Sequence, residues 1–268
     1  MPAKTRLSVH SLSVALGGRE ILKPGAISFS IDSGNIVGLL GPNGSGKTTL
    51  IRALSGLVKK SSGAVEYRGA ELSAAAPKDL AKIFAHVSQG EKFSSPYTVL
   101  ESVVMGRYPH LGAFATYSEE DYETARNSLV RVSLSGFEER IVTELSGGES
   151  ARVSIARALT QDTPVLLLDE PTAALDPKHA IAIMRLAKEL AVEGRIILAA
   201  IHDISLAMAS ADRLIFLKEG EIVADIGADN LDETILNDVY DIPWEICEVG
   251  SGNRRVALPA APVFPNGN

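Results

Sequence analysis

The most informative stretch of this sequence reads Gly41-Pro42-Asn43-Gly44-Ser45-Gly46-Lys47-Thr48-Thr49. It matches G-x-x-x-x-G-K-[ST], in which glycines allow successive backbone N–H groups to face a chain of phosphates. Lys47 supplies a positive charge, the Thr48 hydroxyl is placed to ligate Mg²⁺, and Thr49 faces the α-phosphate side. A short apolar run at 35–40 precedes the stretch and a helical pattern follows it, so the context predicts a buried strand, a phosphate-binding loop and a helix. A Gly-rich turn that binds nothing is the alternative, and the flanking elements argue against it.

Apolar runs recur outward from this loop at 83–87, 165–168, 196–201 and 214–217, and they alternate with amphipathic stretches. Alternation of this kind is typical of a doubly wound α/β domain with a mainly parallel sheet. A P-loop fold of this class is shared by kinases, GTPases and motor ATPases. The remainder of the site must therefore decide the reaction.

The run at 165–168 delivers two acidic residues, Asp169 and Glu170, to the carboxyl end of a predicted strand. Ligands bind at that edge of open α/β sheets. Asp169 is suited to hold Mg²⁺, and Glu170 to polarise the water that attacks a γ-phosphate. Because Pro171 and Thr172 follow, either carboxylate could instead cap a helix.

Two polar residues follow other strands in the same way. Gln89 comes just after the run at 83–87, and His202 just after the run at 196–201. Taken alone, a Gln after a strand is usually a polar loop residue, and a lone His is more often structural than catalytic. Their position at the edge that also carries the phosphate loop favours a functional role for both.

The bulk composition limits the classes of function. The chain has 268 residues, 46% of them hydrophobic, which is ample for a buried core. A net charge of −7 provides no general attraction for nucleic acid, so we predict no nucleic-acid partner. Cys247 is the single cysteine, which excludes an intramolecular disulfide and fits a reducing compartment. No run approaches the roughly 20 apolar residues of a membrane-spanning helix.

The two ends and the middle of the chain have different patterns. Strand-like patterns at 7–14, 26–31 and 64–67 indicate a small β-layer at the start. Between about 94 and 159 the strand patterns disappear, which predicts a helical insertion in the α/β domain. After Trp244 the tail is rich in Gly, Pro and Asn, so we expect its end to be loosely ordered.

One further segment identifies a family. Leu145-Ser146-Gly147-Gly148-Glu149, followed by the helical pattern SARVSIARAL, resembles the LSGGQ signature of ATP-binding-cassette (ABC) transporters, with Glu in the last place. With the phosphate loop, VLLLDEP at 165–171 and AALD at 173–176, it stands in the order and spacing of that family over roughly residues 7–240. Taken alone, LSGGE is also the sequence of an ordinary Ser-capped helix start.

The resemblance implies a fold and a mechanism. The fold is the P-loop ABC ATPase fold, with a mainly parallel sheet, an N-terminal antiparallel β-layer and a helical subdomain at about 94–159 in an ATPase domain over 1–240, followed by a C-terminal extension at 241–268. Two copies face each other head to tail, and each ATP lies between one copy's phosphate loop and the other copy's signature, Ser146 to Glu149. The cofactors are then ATP and Mg²⁺.

The family's site residues map onto positions already singled out. By resemblance, Glu170 is the catalytic base, His202 steadies the γ-phosphate, Gln89 links Mg²⁺ and water to the permease contact, and Asp176 communicates across the dimer. The metal ligands are then Thr48, Gln89 and Asp169.

Two departures from the family pattern are visible. Many relatives carry an aromatic residue near the start that stacks on adenine, but the matching region, 14–18, has none. Leu16 would offer only an apolar contact there, so we expect a weaker preference for adenine over other bases. The other departure is Ala173, where Ser is common, and we expect a modest effect at the dimer interface.

The string GRYPHLG at 106–112 resembles the ATPase subunits of bacterial importers for iron-siderophore complexes, haem and cobalamin. It presents Arg107, Tyr108 and His110 either as a surface that seats a permease helix or as a helix end packed internally. Such a subunit works as a homodimer with two copies of a membrane permease and, indirectly, an extracytoplasmic substrate-binding protein, on the cytoplasmic face of the bacterial plasma membrane.

Three other functions compete with the importer. An export subunit often carries fused membrane spans, and a soluble ABC ATPase of DNA repair or the ribosome usually carries two cassettes or a long coiled coil. Neither feature is in this sequence. A P-loop kinase would need neither LSGGE nor a second copy.

Overall fold

β-strands recur from Arg6 to Pro259 in the computed structural model, which describes residues 5–91, 93–250 and 254–260. They are β1 (Arg6–Leu16), β2 (Arg19–Leu22), β3 (Phe29–Asp32), β4 (Ile36–Leu40), β5 (Ser62–Tyr67), β6 (Ala70–Glu71), β7 (Phe84–Val87), β8 (Val165–Asp169), β9 (Ile196–Ala200), β10 (Arg213–Lys218), β11 (Glu221–Gly227), β12 (Trp244–Val249) and β13 (Arg254–Pro259).

The helices lie between these strands. They are α1 (Lys47–Leu54), α2 (Pro77–Leu80), α3 (Val99–Val104), α4 (Glu119–Arg131), α5 (Gly147–Thr160), α6 (Pro177–Val192), α7 (Ile204–Ser210) and α8 (Glu233–Tyr240). A 3₁₀ turn continues α3 over Met105–His110, and shorter ones lie at Val142–Glu144 and Ala228–Asn230. In the described part of the chain, no helix combines the length and apolar character that crossing a bilayer requires.

The strand before the phosphate loop occupies the middle of a six-stranded sheet of order β11-β10-β4-β9-β8-β7. From β10 to β7 all pairings are parallel, and β11 joins the edge antiparallel. Strands β4, β8 and β9 are buried along their whole length, which explains why their sequences are continuously apolar rather than alternating. The predicted mainly parallel α/β core is confirmed.

The N-terminal layer is a second, antiparallel sheet of order β2-β1-β5-β6, with β3 also paired to β1. Its inner face packs with Leu7, Val9 and Leu12 against α1 and one face of the larger sheet. The described part of the segment between β7 and β8 contains α3, α4 and α5 and no β-strand, and these helices pack around Val103, Leu129 and other apolar side chains.

The C-terminal region contains a hairpin that the sequence reading missed. Strands β12 and β13 pair antiparallel, with Trp244 opposite Pro259 and Val249 opposite Arg254. The Ala257 N–H donates to the Ser205 hydroxyl at 3.1 Å, which ties the hairpin to α7. The predicted loose end of the tail, 261–268, lies outside the described residues.

Candidate functional site

The phosphate loop turns sharply out of β4 and depends on glycine at two points. Gly41 has φ +141°, and a Cβ there would lie 1.9 Å from the Leu217 carbonyl oxygen on β10. Gly46 has φ +107°, and its Cβ would lie 2.7 Å from Leu22 Cδ2 on β2. Any side chain at either position would push the loop off its supporting strands, so the loop path requires both glycines.

Helix α1 starts without a side-chain cap. Its N-cap is Gly46, whereas α3 to α8 each begin with a Thr, Ser or Asp side chain that accepts a backbone N–H. The first N–H groups of α1 are therefore available to an anion. The buried Ser45 Oγ also has no hydrogen-bond partner in the described part of the chain. An uncapped helix start beside an unpartnered buried hydroxyl is suited to phosphate oxygens.

Lys47 holds its ammonium group inside this loop. Its Nζ donates to the carbonyl oxygens of Gly41 at 2.7 Å and Pro42 at 3.1 Å. Burial lowers the pKa of Lys47, while the carboxylates of Glu170 and Asp169 act in the opposite direction. In the described part of the chain this buried cation donates to carbonyl oxygens alone, so it would gain a strong partner from a phosphate.

Asp169 ends β8 almost fully buried, at 1% exposure. Its Oδ1 accepts the Thr48 hydroxyl at 3.1 Å, and Oδ2 has no partner among the described residues. Burial is the main cause of a raised pKa for Asp169. A carboxylate and a hydroxyl in contact, with one carboxylate oxygen unused, form a donor set of the kind that hard divalent cations prefer.

Glu170 lies next to Asp169 with φ +53°, a left-handed conformation that few non-glycine residues adopt. Its backbone N–H donates to the Ala200 carbonyl at 3.2 Å, which holds the turn against β9. The side chain is 9% exposed, and one carboxylate oxygen lies 2.6 Å from His202 Nε2. The Gln89 amide donates to the other oxygen. The three polar residues that follow β7, β8 and β9 thus meet at one carboxylate.

These residues line one open cavity of about 840 Å³. Its wall contains Asn43 to Thr49 of the phosphate loop together with Gln89, Glu170 and His202. Gly41 and Pro42 lie behind the loop as acceptors for Lys47, and Asp169 lies beneath Thr48. The cavity continues along β2, where Arg19, Glu20, Ile21 and Lys23 also line it.

The signature segment lies elsewhere. Among the described residues, the lining of the phosphate-loop cavity includes no member of Ser146 to Glu149. Ser146 is the N-cap of α5, with its hydroxyl accepting the Glu149 N–H at 3.3 Å and the Glu149 carboxylate accepting the Ser146 N–H at 2.8 Å. Arg140 also contacts that carboxylate at 3.0 Å. For Glu149 a contact with a second copy's nucleotide stays a prediction, one that these bonds within its own chain do not support.

A second cavity, of about 510 Å³, separates the signature helix from the sheet edge. Its lining reaches from Gln89 and Glu170 to Leu145, Gly147 and Ser154. The cavity shows that the two segments approach each other without close packing.

Asp176 caps α6 rather than entering either cavity. Its carboxylate accepts the His179 N–H at 2.9 Å and contacts His179 Nδ1 at 2.8 Å, and these bonds lower the pKa of Asp176. Its predicted role across a dimer therefore needs a surface outside the cavity.

The turn at 106–112 buries Gly106 and Pro109, and two of its polar side chains bond within the chain. Arg107 Nε donates to Asp121 at 2.8 Å, and His110 Nε2 lies 2.7 Å from the Gln161 carbonyl. For these two side chains docking on a permease stays a prediction, because each bonds within its own chain while His110 also remains exposed. Tyr108 is different, since 69% of it is exposed.

Sequence reasoning missed one residue that supports the loop. The Gly41 N–H donates to the Tyr240 hydroxyl at 3.2 Å, across 199 positions of sequence. Burial raises the pKa of Tyr240 to about 12. Its ring packs against Trp244 with the centroids 5.4 Å apart, so α8 and the C-terminal hairpin support the first peptide of the loop. No local motif signals such a contact.

The fold and this cavity define a nucleotide-hydrolysing enzyme of the P-loop class. Comparison with known proteins defines it further. The model of the ABC transporter family matches residues 25–173, and the chain belongs to that family as an ATP-binding, ATP-hydrolysing subunit.

The relatives include a hemin import ATP-binding protein of Streptomyces coelicolor, 38% identical over 91% of this chain and 86% of the relative. Among solved structures, a chain from an ABC transporter described as metal-chelate type, in an inward-facing conformation, has a TM-score of 0.83 at 26% identity. The match covers 96% of this chain and 98% of that one. An ATP-binding cassette solved as a dimer in a post-hydrolysis state with ADP and Pi has a TM-score of 0.75 at 29% identity, over 84% of this chain and all of that one.

Proposed function

We propose that this chain is the ATPase subunit of a bacterial importer for metal chelates of the iron-siderophore, haem or cobalamin kind. The hemin importer's subunit and the metal-chelate-type transporter support this class of cargo. The helical segment at about 94–159, the subdomain of an ATPase domain over 1–240, would face the permease. The exposed aromatic side chains Tyr97, Tyr108 and Phe114 in that segment are typical of a protein-binding surface.

The assembly would contain two copies of this chain, two copies of the permease and an extracytoplasmic substrate-binding protein, with this subunit on the cytoplasmic face of the plasma membrane. One observation carries the dimer. Ser146 and the glycines after it lie at the exposed start of α5, outside the cavity that holds their own chain's phosphate loop. A second copy, placed head to tail, would bring its signature to this loop. A cassette similar to this chain was solved as a dimer with ADP and Pi, which supports a dimer here.

Within each site the residues take distinct roles. The N–H groups of the loop and the Lys47 ammonium bind the phosphates, and Thr48, Asp169 and Gln89 would hold Mg²⁺, which supplies charge neutralisation on the phosphate oxygens. Glu170 would take a proton from the attacking water, and His202, 2.6 Å from its carboxylate, would orient it and steady the γ-phosphate. Asp176, at the start of α6, would transmit the state of one site to the other.

Size-exclusion chromatography of the Glu170→Gln variant tests the shared site. With ATP and Mg²⁺ it should elute as a dimer, since bound ATP is not hydrolysed, and as a monomer without ATP. Adding Ser146→Arg should abolish the dimer.

The matched control adds Ser118→Arg instead. Ser118 caps α4 with the same reciprocal bonds, to Asp121, so both substitutions remove a cap at a cost of about 1 kcal/mol. If the Ser118→Arg variant also fails to dimerise, helix destabilisation rather than the signature explains the loss. A dimer that survives Ser146→Arg contradicts the shared site.

A further inference from the structure

The nucleotide cavity has a wall made by β2, beyond the phosphate loop. Strand β2 touches the loop directly, since a Cβ on Gly46 would lie within 3.3 Å of the Ile21 carbonyl. Arg19 lines the same cavity three residues before Leu22, roughly 10 Å farther along an extended strand. With its phosphates at the loop, a nucleotide would extend its nucleoside along the cavity toward this wall.

The backbone around Arg19 is fixed. Gly17 and Gly18, with φ +57° and +79°, form a two-residue hairpin turn, and Leu16 pairs directly with Arg19 across it. Leu16 is 46% exposed, and in the described part of the chain it is absent from the cavity lining that includes Arg19. The contact with the nucleotide base that was expected from Leu16 is therefore better assigned to Arg19, its partner across the hairpin.

The guanidinium of Arg19 is available to a ligand. Within the described residues it makes no hydrogen bond or ion pair, whereas Lys23, farther along the same wall, is paired with Glu221 at 2.8 Å. A guanidinium is planar, delocalised and weakly hydrated, and it stacks on aromatic faces in a way that an ammonium group does not. Purine rings are such faces, and every purine offers one.

We propose that Arg19 holds the base of the bound nucleotide by stacking its guanidinium plane on the purine ring. The contact replaces the aromatic side chain that this chain lacks at 14–18. Because stacking reads the ring face and not its substituents, ATP and GTP bind with similar affinity. The inference rests on nucleotide binding at the phosphate loop, so its test includes a ligand without a base.

Isothermal titration calorimetry of the full chain with Mg²⁺ and ATP, GTP or inorganic tripolyphosphate makes the test. Arg19→Ala and Arg19→Lys should each weaken ATP and GTP binding about tenfold and leave tripolyphosphate binding unchanged. Arg19→Trp should keep the affinity for both nucleotides, since an indole also stacks. Arg185→Ala, at an exposed position of α6 outside both cavities, is the control and should match wild type.

Two results overturn the proposal. An Arg19→Lys variant with wild-type ATP affinity, or an Arg19→Ala variant that loses tripolyphosphate as well, would make Arg19 a phosphate contact. Unchanged ATP binding in Arg19→Ala would remove it from the site. If the phosphate loop does not bind nucleotide at all, wild type and Lys47→Ala will instead give the same titrations with all three ligands.

Discussion

Helices α1 and α5 both begin at glycine-rich sequences that match nucleotide-binding motifs, yet their first turns are built in opposite ways. Helix α1 follows Gly46, has no side-chain cap and opens into its own chain's cavity. Helix α5 follows Ser146, which closes the turn in a reciprocal pair with Glu149 outside that cavity. Both ends can offer N–H donors to a phosphate.

The loop half, around α1, has polar groups that are open to a ligand. In the signature half, around α5, the polar groups already bond one another within the chain. Around α1 the Ser45 hydroxyl and one oxygen of Asp169 are buried without partners among the described residues, so a bound ligand would satisfy groups that are otherwise costly. Around α5 the polar groups of the cap bond one another. We therefore expect ATP to stabilise the loop half, and in the proposed shared site the signature half would present its closed cap to the nucleotide.

The largest effect we expect is a loss of ATP hydrolysis without a loss of ATP binding. Glu170→Gln removes the base but keeps the size of the side chain, so hydrolysis should fall about 100-fold or more while ATP affinity changes little. Steady-state phosphate release and calorimetry measure the two quantities. The control, Glu193→Gln, alters an exposed carboxylate paired with Arg131 and should leave hydrolysis unchanged. A parallel loss of ATP binding in Glu170→Gln would show that Glu170 holds the ligand rather than the water.

Mixing two inactive variants should separate the halves. Lys47→Ala damages only the loop half, and Ser146→Arg only the signature half, so each protein alone should be inactive. Random pairing makes half of the dimers mixed, and each mixed dimer has one intact site, so the mixture should recover roughly a quarter of the wild-type rate. Phosphate release against mixing ratio is the measurement. If both halves act within one chain, no mixture recovers activity.

A smaller effect should reveal the remote support of the loop. Tyr240→Phe removes the acceptor of the Gly41 N–H and leaves a partly buried donor unpaired, which costs about 1 kcal/mol. We expect ATP affinity to fall about fivefold, with little change in the rate constant at saturation. Tyr67→Phe, at a buried tyrosine in the N-terminal sheet, is the control. Equal effects from both variants would assign the loss to general stability.

The sequence predicted those parts of the fold and site that local patterns encode. Continuously apolar runs located β4, β8 and β9. The polar residues after β7, β8 and β9 predicted the meeting of Gln89, Glu170 and His202, because parallel strands end at one edge. The motif predicted that the loop path requires glycine. Gly41 shows the reason, because a Cβ there would collide with the Leu217 carbonyl oxygen on β10.

The remainder depends on contacts between distant residues. Tyr240 reaches Gly41 across the whole domain, and the commitments of Arg107 and His110 to α4 and α5 follow from packing that no short string encodes. The missed hairpin of β12 and β13 did leave a signal, because alternating apolar residues flank two glycines in the sequence, Gly250 and Gly252. The Gly, Pro and Asn content of the tail instead predicted a loosely ordered end and concealed that alternation.

The smallest effect should appear in the pH dependence of stability and involves His86 on β7, three residues before Gln89. Its Nε2 is buried without a partner in the described part of the chain, and burial lowers the pKa of His86 below the usual 6.5, helped by Arg52 and opposed by Glu91. Below pH 6.5 the unfolded chain therefore binds a proton that the folded chain resists.

The stabilising contribution of neutral His86 is thus present above pH 6.5 and declines as the pH falls, by at most about 1.4 kcal/mol per pH unit. Urea unfolding at pH 7.5, 6.5 and 5.5 should show wild type losing stability relative to His86→Gln toward the acid side. His10→Gln, at an exposed position of β1, shows whether loss of any histidine has the same consequence. If the unfolding free energies of wild type and His86→Gln stay parallel over this range, protonation of His86 does not destabilise the folded protein.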